Sequence, residues 1–366
     1  MICFYFYEGE IMEKYTPYSE LKIFHHIDRI EAFLKGERVA PIYIRIKPTN
    51  ICNQRCFYCA YANDNLFNER EVDKRESIPW DIMEKTLYDL AEMKVKAVTY
   101  SGGGDPLCYH SIIQTLALTK SLGIDFSMIT NAQALEGDVV AYLKDAKWIR
   151  VSFDSSEAET YESIRGVHTY SRVINNIERF AGIKSKDCTL GINCVITKNN
   201  ADKIFEICTL VKNLGVDNIK LSPIAVKANT KDYHDSIKES VVEQINLAKE
   251  KLEDNRFKVV DKYTCDLNLP DFYKKEYQKC YIQNFFAVIA ADSKVYRCHQ
   301  RAYTKAGELG DLKQMSFKEL WFSKEVSNRI GMFEPQKECC FRCAFDERNL
   351  LLNDFVNIDR NHINFI

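Results

Sequence analysis

Several features that would narrow function at once are missing from this chain of 366 residues. There is no charge excess: 50 Lys and Arg stand against 52 Asp and Glu, a formal net charge of −2. Composition therefore gives no electrostatic case for nucleic acid or for an anionic membrane surface as partner. No apolar run approaches the roughly eighteen residues of a membrane-spanning helix. The stretch from Phe285 to Ala291 is only a strand's length. Met1-Ile2-Cys3-Phe4-Tyr5-Phe6-Tyr7 lacks the basic start of a secretory signal and is too short for its apolar core. Without a sign of secretion, the 14 cysteines read as reduced, cytosolic and largely metal-binding, and the expected location is the cytoplasm. The residues before Met12 show no pattern, which makes Met12 a candidate natural start.

What is present is a large core. Hydrophobic residues make up 46% of the chain, with 21 Phe and 20 Tyr, and the length suffices for two domains. Residues 18–36 are expected to be helical, with Leu21, Phe24, Ile27, Ile30, Phe33 and Leu34 at helical spacing and Gly36 as the stop. Pro41 to Lys47 reads as a strand. Further strands are expected near 95–100, 125–130, 148–153, 190–197 and 218–221, alternating with helices as far as 236–254. Strand–helix alternation of this kind favours a parallel sheet with right-handed crossovers. The count is six β/α units.

The loop that leaves the first strand carries Cys52, Cys56 and Cys59 at C-x3-C-x2-C. Closely spaced cysteines hold iron–sulfur clusters, and three ligands on a four-iron cube leave one iron open for a cofactor. A zinc knuckle is the competing reading and would want a fourth Cys or His nearby. With Tyr58 before Cys59, the loop resembles that of the radical S-adenosylmethionine (radical SAM) superfamily. The resemblance implies an open (β/α)6 partial TIM barrel, a [4Fe–4S] cluster on the three cysteines, and SAM bound at the open iron. It also implies reductive cleavage of SAM to a 5′-deoxyadenosyl radical, with a small electron donor such as flavodoxin or ferredoxin as partner.

Other stretches fall where that resemblance wants them. Ser101-Gly102-Gly103-Gly104-Asp105 leaves the second strand, where glycines let backbone approach a ligand. It resembles the Gly-Gly-Glu motif that binds the SAM amino group, with Asp105 in place of Glu. Bulk at Gly104 is therefore expected to weaken SAM binding with iron content intact. Asn131 ends the third strand. Arg150, Ser152 and Asp154 share one face of the fourth, and the resemblance puts Ser152 and Asp154 near the SAM ribose and substrate. Asn193 on the fifth strand and Lys220 on the sixth are contacts by position. Arg165-Gly166 matches a recurring family dipeptide and equally suits a helix C-terminus.

A second constellation follows: Cys280, Cys298, and Cys340-x2-Cys343 around an expected hairpin at 285–290 and 294–297. Four thiolates suit either one further cluster or a structural zinc. The pattern resembles the shortened auxiliary-cluster domain called twitch, related to SPASM, with Ser293 at the usual hairpin glycine. Cys339 is an alternative to Cys340. The expected layout is an N-terminal helical extension (1–40), the barrel (41–256), the auxiliary-cluster domain (257–346) and a tail (347–366). Two [4Fe–4S] clusters and SAM are the implied cofactors.

For the reaction, the resemblance favours a small polar substrate such as a sugar, aminocyclitol or nucleotide-sugar. Net oxidation would use the auxiliary cluster as electron acceptor and Arg150 or Lys220 as base. Epimerisation, with Cys265 as a hydrogen donor, and peptide maturation are the alternatives. About forty residues precede the first strand, short for a winged-helix leader-binding domain. A zinc-bearing scaffold protein is the non-enzyme reading.

Overall fold

The computed structural model describes residues 18–62, 70–224, 230–268, 275–339, 343–359 and 361–364, with the backbone of two short strands at 6–7 and 10–11. Cys340 and the suggested start at Met12 lie outside the described residues. Seven parallel strands form the curled sheet: β1 (Tyr43–Ile46), β2 (Ala97–Tyr100), β3 (Asp125–Thr130), β4 (Trp148–Ser152), β5 (Thr189–Ile196), β6 (Asn218–Pro223) and β7 (Lys258–Asp261). Successive side chains on a strand take opposite faces. Ile44 and Ile46, Ile149 and Val151, Ile192 and Cys194, and Ile219 and Leu221 are fully buried on the helix-covered face. Arg45, Arg150, Ser152, Asn193 and Lys220 alternate with them and face the lumen.

The covering helices between β1 and β7 include α1 (Trp80–Glu92), α2 (Ile112–Ser121), α3 (Val139–Leu143), α4 (Ala158–Arg165), α5 (Tyr170–Ile183), α6 (Ile204–Asn213) and α7 (Lys238–Leu252). The single helix expected over 18–36 is instead two pieces, a 3-10 turn at Glu20–His25 and an α-helix at Ile27–Leu34. His26 breaks it with φ −113° and ψ 53°. The two pieces pack differently: Phe24 meets Phe355 at 5.3 Å, whereas Phe33 meets Phe285 at 5.3 Å. β7 extends the sheet beyond the six units counted from sequence. Its register sets Lys220 opposite Val260.

The cysteine-rich C-terminal third continues the same sheet. β8 (Phe286–Ile289) lies parallel to β1, and β9 (Lys294–Tyr296) and β10 (Glu308–Asp311) follow antiparallel, giving ten strands in the order β10-β9-β8-β1 through β7. Ser293 takes φ 67° in the β8–β9 turn, the left-handed conformation that a glycine adopts without strain. The last helix, α8 (Asp346–Asn357), lies in the segment expected as a tail and buries Asp346, Asn349 and Leu352 against this domain.

Candidate active site and cluster-binding loops

The C-x3-C-x2-C loop is laced to three neighbouring strand ends. Gly104 N donates to Thr49 O at 3.0 Å and Asp105 N to Ile51 O at 2.9 Å, tying the glycine loop to the residues just before Cys52. Arg55 N donates to Arg165 O at 2.9 Å and Phe57 N to Ile164 O at 3.2 Å, so the end of α4 holds the other side. Asn131 Nδ2 reaches Asn53 Oδ1 at 2.7 Å and the Cys52 Sγ at 3.8 Å.

Asp105 and Asp154 are both fully engaged by the protein. Asp105 accepts from Leu107 N at 2.9 Å, Asn131 N at 2.6 Å and the Thr130 hydroxyl at 3.0 Å. It braces the end of β3 against the glycine loop. Asp154 Oδ1 accepts from Val195 N at 2.8 Å, and Oδ2 accepts from the Tyr58 hydroxyl at 2.6 Å and pairs with Arg165 at 2.5 Å. Arg165 Nη1 in turn lies 3.5 Å from the Cys56 Sγ. Tyr58, expected beside the cofactor, is thus anchored through its hydroxyl to strand β4. Gly166 closes α4 with φ 69°, so the dipeptide is both a helix C-terminus and a support for the cluster loop.

Burial raises the Cys56 thiol above its ordinary value, while Arg165 opposes the shift. Uptake of a metal cluster here must therefore displace protons from thiols that the fold alone leaves protonated. Among the described residues, no group of three or more His, Cys, Asp or Glu side chains draws together tightly enough to hold a single metal ion. Thiolates on separate corners of an iron–sulfur cube stand farther apart than ligands of one zinc. The loop, with N–H donors aimed at Cys52 and Cys56, fits the cube.

The glycine loop is packed more tightly than the sequence suggested. A Cβ on Gly104 would stand 2.0 Å from Ile51 O, and one on Gly103 would stand 1.9 Å from Asn50 Oδ1. The obstruction at Gly104 is backbone adjacent to Cys52, which cannot swing aside. The expectation that bulk there spares iron is therefore revised. Gly104→Val should lower both SAM binding and iron content. Iron analysis of the purified variant checks this, and full loading would show that the loop yields.

Ser152, Asn193 and Lys220 are adjacent in the register of β4, β5 and β6 and face the lumen. Arg150 lies two residues earlier on β4, toward the strand's N-terminal end. Its Nη2 donates to the Tyr18 hydroxyl at 2.8 Å, and the guanidinium stands 5.1 Å from the Tyr18 and Trp148 rings. It is thus tied to the N-terminal segment and not to the group of polar residues above it. Tyr18 carried no sequence signal for this role. Lys220 is different. Burial, with the charges of Arg150 and Lys262, pulls its pKa down to about 7. Cys265 is buried on the short helix Tyr263–Leu267 that follows β7.

The auxiliary cysteines also converge on a prepared site. Cys280, Cys298, Cys339 and Cys343 are close enough to act on one another's ionisation. Burial pushes the Cys280 thiol up to about 12. Asn349 Nδ2 lies 3.6 Å from the Cys280 Sγ, and Phe345 N donates to the Cys343 Sγ at 3.4 Å. Asp346 fixes the loop by accepting from Cys343 N at 2.6 Å and pairing with Lys275 at 2.7 Å. Asn349 and Asp346 fall beyond the last cysteine, where nothing in the sequence singled them out.

A parallel barrel with a three-cysteine loop at one strand end and a second thiol set beside it defines a class of iron–sulfur proteins. Residues 46–211 match the radical SAM superfamily, and residues 280–344 match the SPASM iron–sulfur cluster-binding domain. The chain thus carries a radical SAM domain and a C-terminal SPASM/twitch-type iron–sulfur domain. These two domains imply SAM and two [4Fe–4S] clusters as cofactors. The chain is similar to a protein named "Probable GTP 3′,8-cyclase" from Saccharolobus islandicus, 27% identical over 215 residues, covering 57% of this chain and 66% of that protein. A protein of the same name from Sulfolobus acidocaldarius is 28% identical over 181 residues, covering 49% of this chain and 54% of the relative. In fold it resembles Streptococcus suis SuiB bound to S-adenosylmethionine (TM-score 0.62, 19% identity, 88% of this chain and 74% of that one). It also resembles native anSMEcpe with bound AdoMet (TM-score 0.59, 18% identity, 89% and 100%).

Proposed function

We propose that the chain oxidises a carbinol of a small polar substrate, a sugar, aminocyclitol or nucleotide-sugar, with Lys220 as the base. When bound, SAM and its cluster supply a radical that removes a hydrogen atom from the carbinol carbon, and the auxiliary cluster supplies an acceptor for the second electron. The protein's own contribution is to remove the hydroxyl proton and to hold the substrate between the two cysteine sets. The observation that carries this reading is Lys220: a lysine in the lumen with its pKa near 7 is partly neutral at working pH, as a general base must be. Ser152 and Asn193, next to it in the register, supply hydrogen-bonding groups for hydroxyls. A small electron donor such as a flavodoxin or ferredoxin would deliver the initiating electron. Similarity to proteins named GTP 3′,8-cyclase supports a second reading, ring closure on a nucleotide.

The test uses protein reconstituted anaerobically with iron and sulfide, then reduced in the presence of SAM and substrates deuterated at the carbinol. Deuterium should appear in 5′-deoxyadenosine together with an oxidised product. A product of unchanged oxidation state, whether cyclised or carrying a solvent-derived hydrogen, overturns the oxidation. Lys220→Met should lower product formation by about 10²-fold or more with SAM binding retained. The wild-type rate should rise as pH passes about 7, where Lys220 loses its proton, and the variant should lack that rise. The sign for stability follows from the same depression. Lys220 is unfavourable below its folded pKa, and that penalty is relieved as pH climbs from about 7 toward its ordinary 10.5.

A further inference from the structure

The lumen wall beside the auxiliary domain gathers Arg45, Lys47 and Lys220, and among the described residues none of these three is paired with a carboxylate. Lys47, just past β1, is buried, and its Nζ donates to the Tyr61 hydroxyl at 2.7 Å. The ammonium also lies 4.2 Å from the Tyr61 ring centre and 5.1 Å from that of Tyr303. Arg70 stands over the same Tyr61 ring at 4.8 Å. Arg45, two residues before Lys47 on β1, has a buried Nε without a hydrogen-bond partner among the described residues. Its charge acts on both Lys47 and Lys220.

No described carboxylate forms an ion pair with Arg45, Lys47 or Lys220. The charged groups acting on Lys220 are Arg150 from β4, Arg45 from β1, and Lys262 and Asp266 after β7. Of these, only Asp266 is acidic, and it is paired with Lys262 at 3.2 Å. Around the three cations stand the phenols of Tyr43 and Tyr61, the buried His299 ring and other cations; a buried cation so placed is costly to hold, and folded proteins normally pair such groups. The chain as a whole is balanced in charge, so this local imbalance is a property of the lumen and not of composition. The cluster also lies between the two cysteine sets: Tyr61 follows Cys59 by two residues, and Tyr303 belongs to the loop after Cys298.

We propose that Arg45 and Lys47 bind an acidic group of the substrate, a phosphate ester, and so make the substrate a phosphorylated or nucleotide-linked small molecule, with Lys220 left neutral to act as the base. This rests on the reading of the lumen as the substrate site. Arginine suits the role, since its fork of N–H donors matches phosphate oxygens. The phosphate would supply the missing counter-charge, and the hydroxyl-bearing part of the same molecule would lie along Ser152 and Asn193.

The experiment is calorimetric titration of the iron-loaded protein, with SAM present and no reductant, by inorganic phosphate and by glucose 1-phosphate. Glucose and acetate are the controls. Both phosphates should bind saturably, and glucose 1-phosphate should bind more tightly than glucose. Arg45→Gln and Lys47→Met should each weaken phosphate binding by about 10-fold or more. Lys47→Met keeps an apolar side chain of similar length, so it remains informative if Arg45→Gln does not fold. Absence of saturable phosphate binding overturns the proposal, as does acetate binding equally well or wild-type affinity in the folded variants. SAM cleavage stimulated by neutral sugars without phosphate binding would sink this inference and leave the oxidation standing. Phosphate binding without any oxidised product would do the reverse.

Discussion

Replacing Cys52, Cys56 and Cys59 together by alanine is expected to remove about half of roughly eight irons and to abolish SAM cleavage. The three thiols lie on one short loop held at Thr49, Ile51, Arg55 and Phe57 by backbone bonds to the glycine loop and to α4. The auxiliary thiols belong to a different wall, fixed by Asn349 and Asp346 on α8. The bonds that fix one loop are separate from those that fix the other, so losing the first set should leave the second loaded. The check is iron analysis beside EPR of the reduced protein, where one of two signals should remain. A triple variant that still forms 5′-deoxyadenosine would move the radical chemistry away from this loop. Loss of all the iron would show that the auxiliary set does not assemble independently.

The C-x3-C-x2-C loop and the β/α alternation were legible because each is local in sequence, whereas the auxiliary cysteines, spread from Cys280 to Cys343, were grouped only through the resemblance. Three thiols within eight positions, or an apolar strand before a helix, need no tertiary information. What escaped the sequence is tertiary. β7 is a short segment whose place in the sheet is fixed only by pairing with β6. The parallel pairing of β8 with β1 joins residues more than two hundred positions apart and turns two expected domains into one continuous sheet. The side chains that steady the clusters fall into the same group. Asn349, Asp346 and Tyr18 are ordinary residues in sequence and acquire a role only where chain folding brings them to Cys280, Cys343 or Arg150. Asp105 and Asp154 show the converse. Each was placed at the correct strand end, but the sequence could not show that their oxygens were already taken by Asn131, Thr130, Val195, Tyr58 and Arg165.

Arg165 is the side chain where fold stability and cluster electrostatics meet, and its removal should show both. Arg165 and Asp154 are each almost wholly buried, and the pair is 2.5 Å apart. Removing one partner of such a pair leaves an uncompensated buried charge, a loss of about 3–5 kcal/mol. Arg165→Met should therefore unfold at markedly lower denaturant concentration than the wild type. Adding Asp154→Asn should restore part of the loss, because the stranded carboxylate is then gone. The second consequence concerns Cys56, whose Sγ lies 3.5 Å from Arg165 Nη1. A cation and N–H donor beside a cluster thiolate favours the reduced, more negative cluster. The double variant should retain iron yet titrate at a more negative potential in EPR-monitored reduction without SAM, because Arg165 acts on Cys56 more strongly than Asp154 does and also donates to it, so its loss outweighs that of the carboxylate. Arg165→Lys, which keeps the charge but not the fork, should recover more stability than Arg165→Met. An unchanged potential in the fully loaded double variant would confine Arg165 to neutralising Asp154.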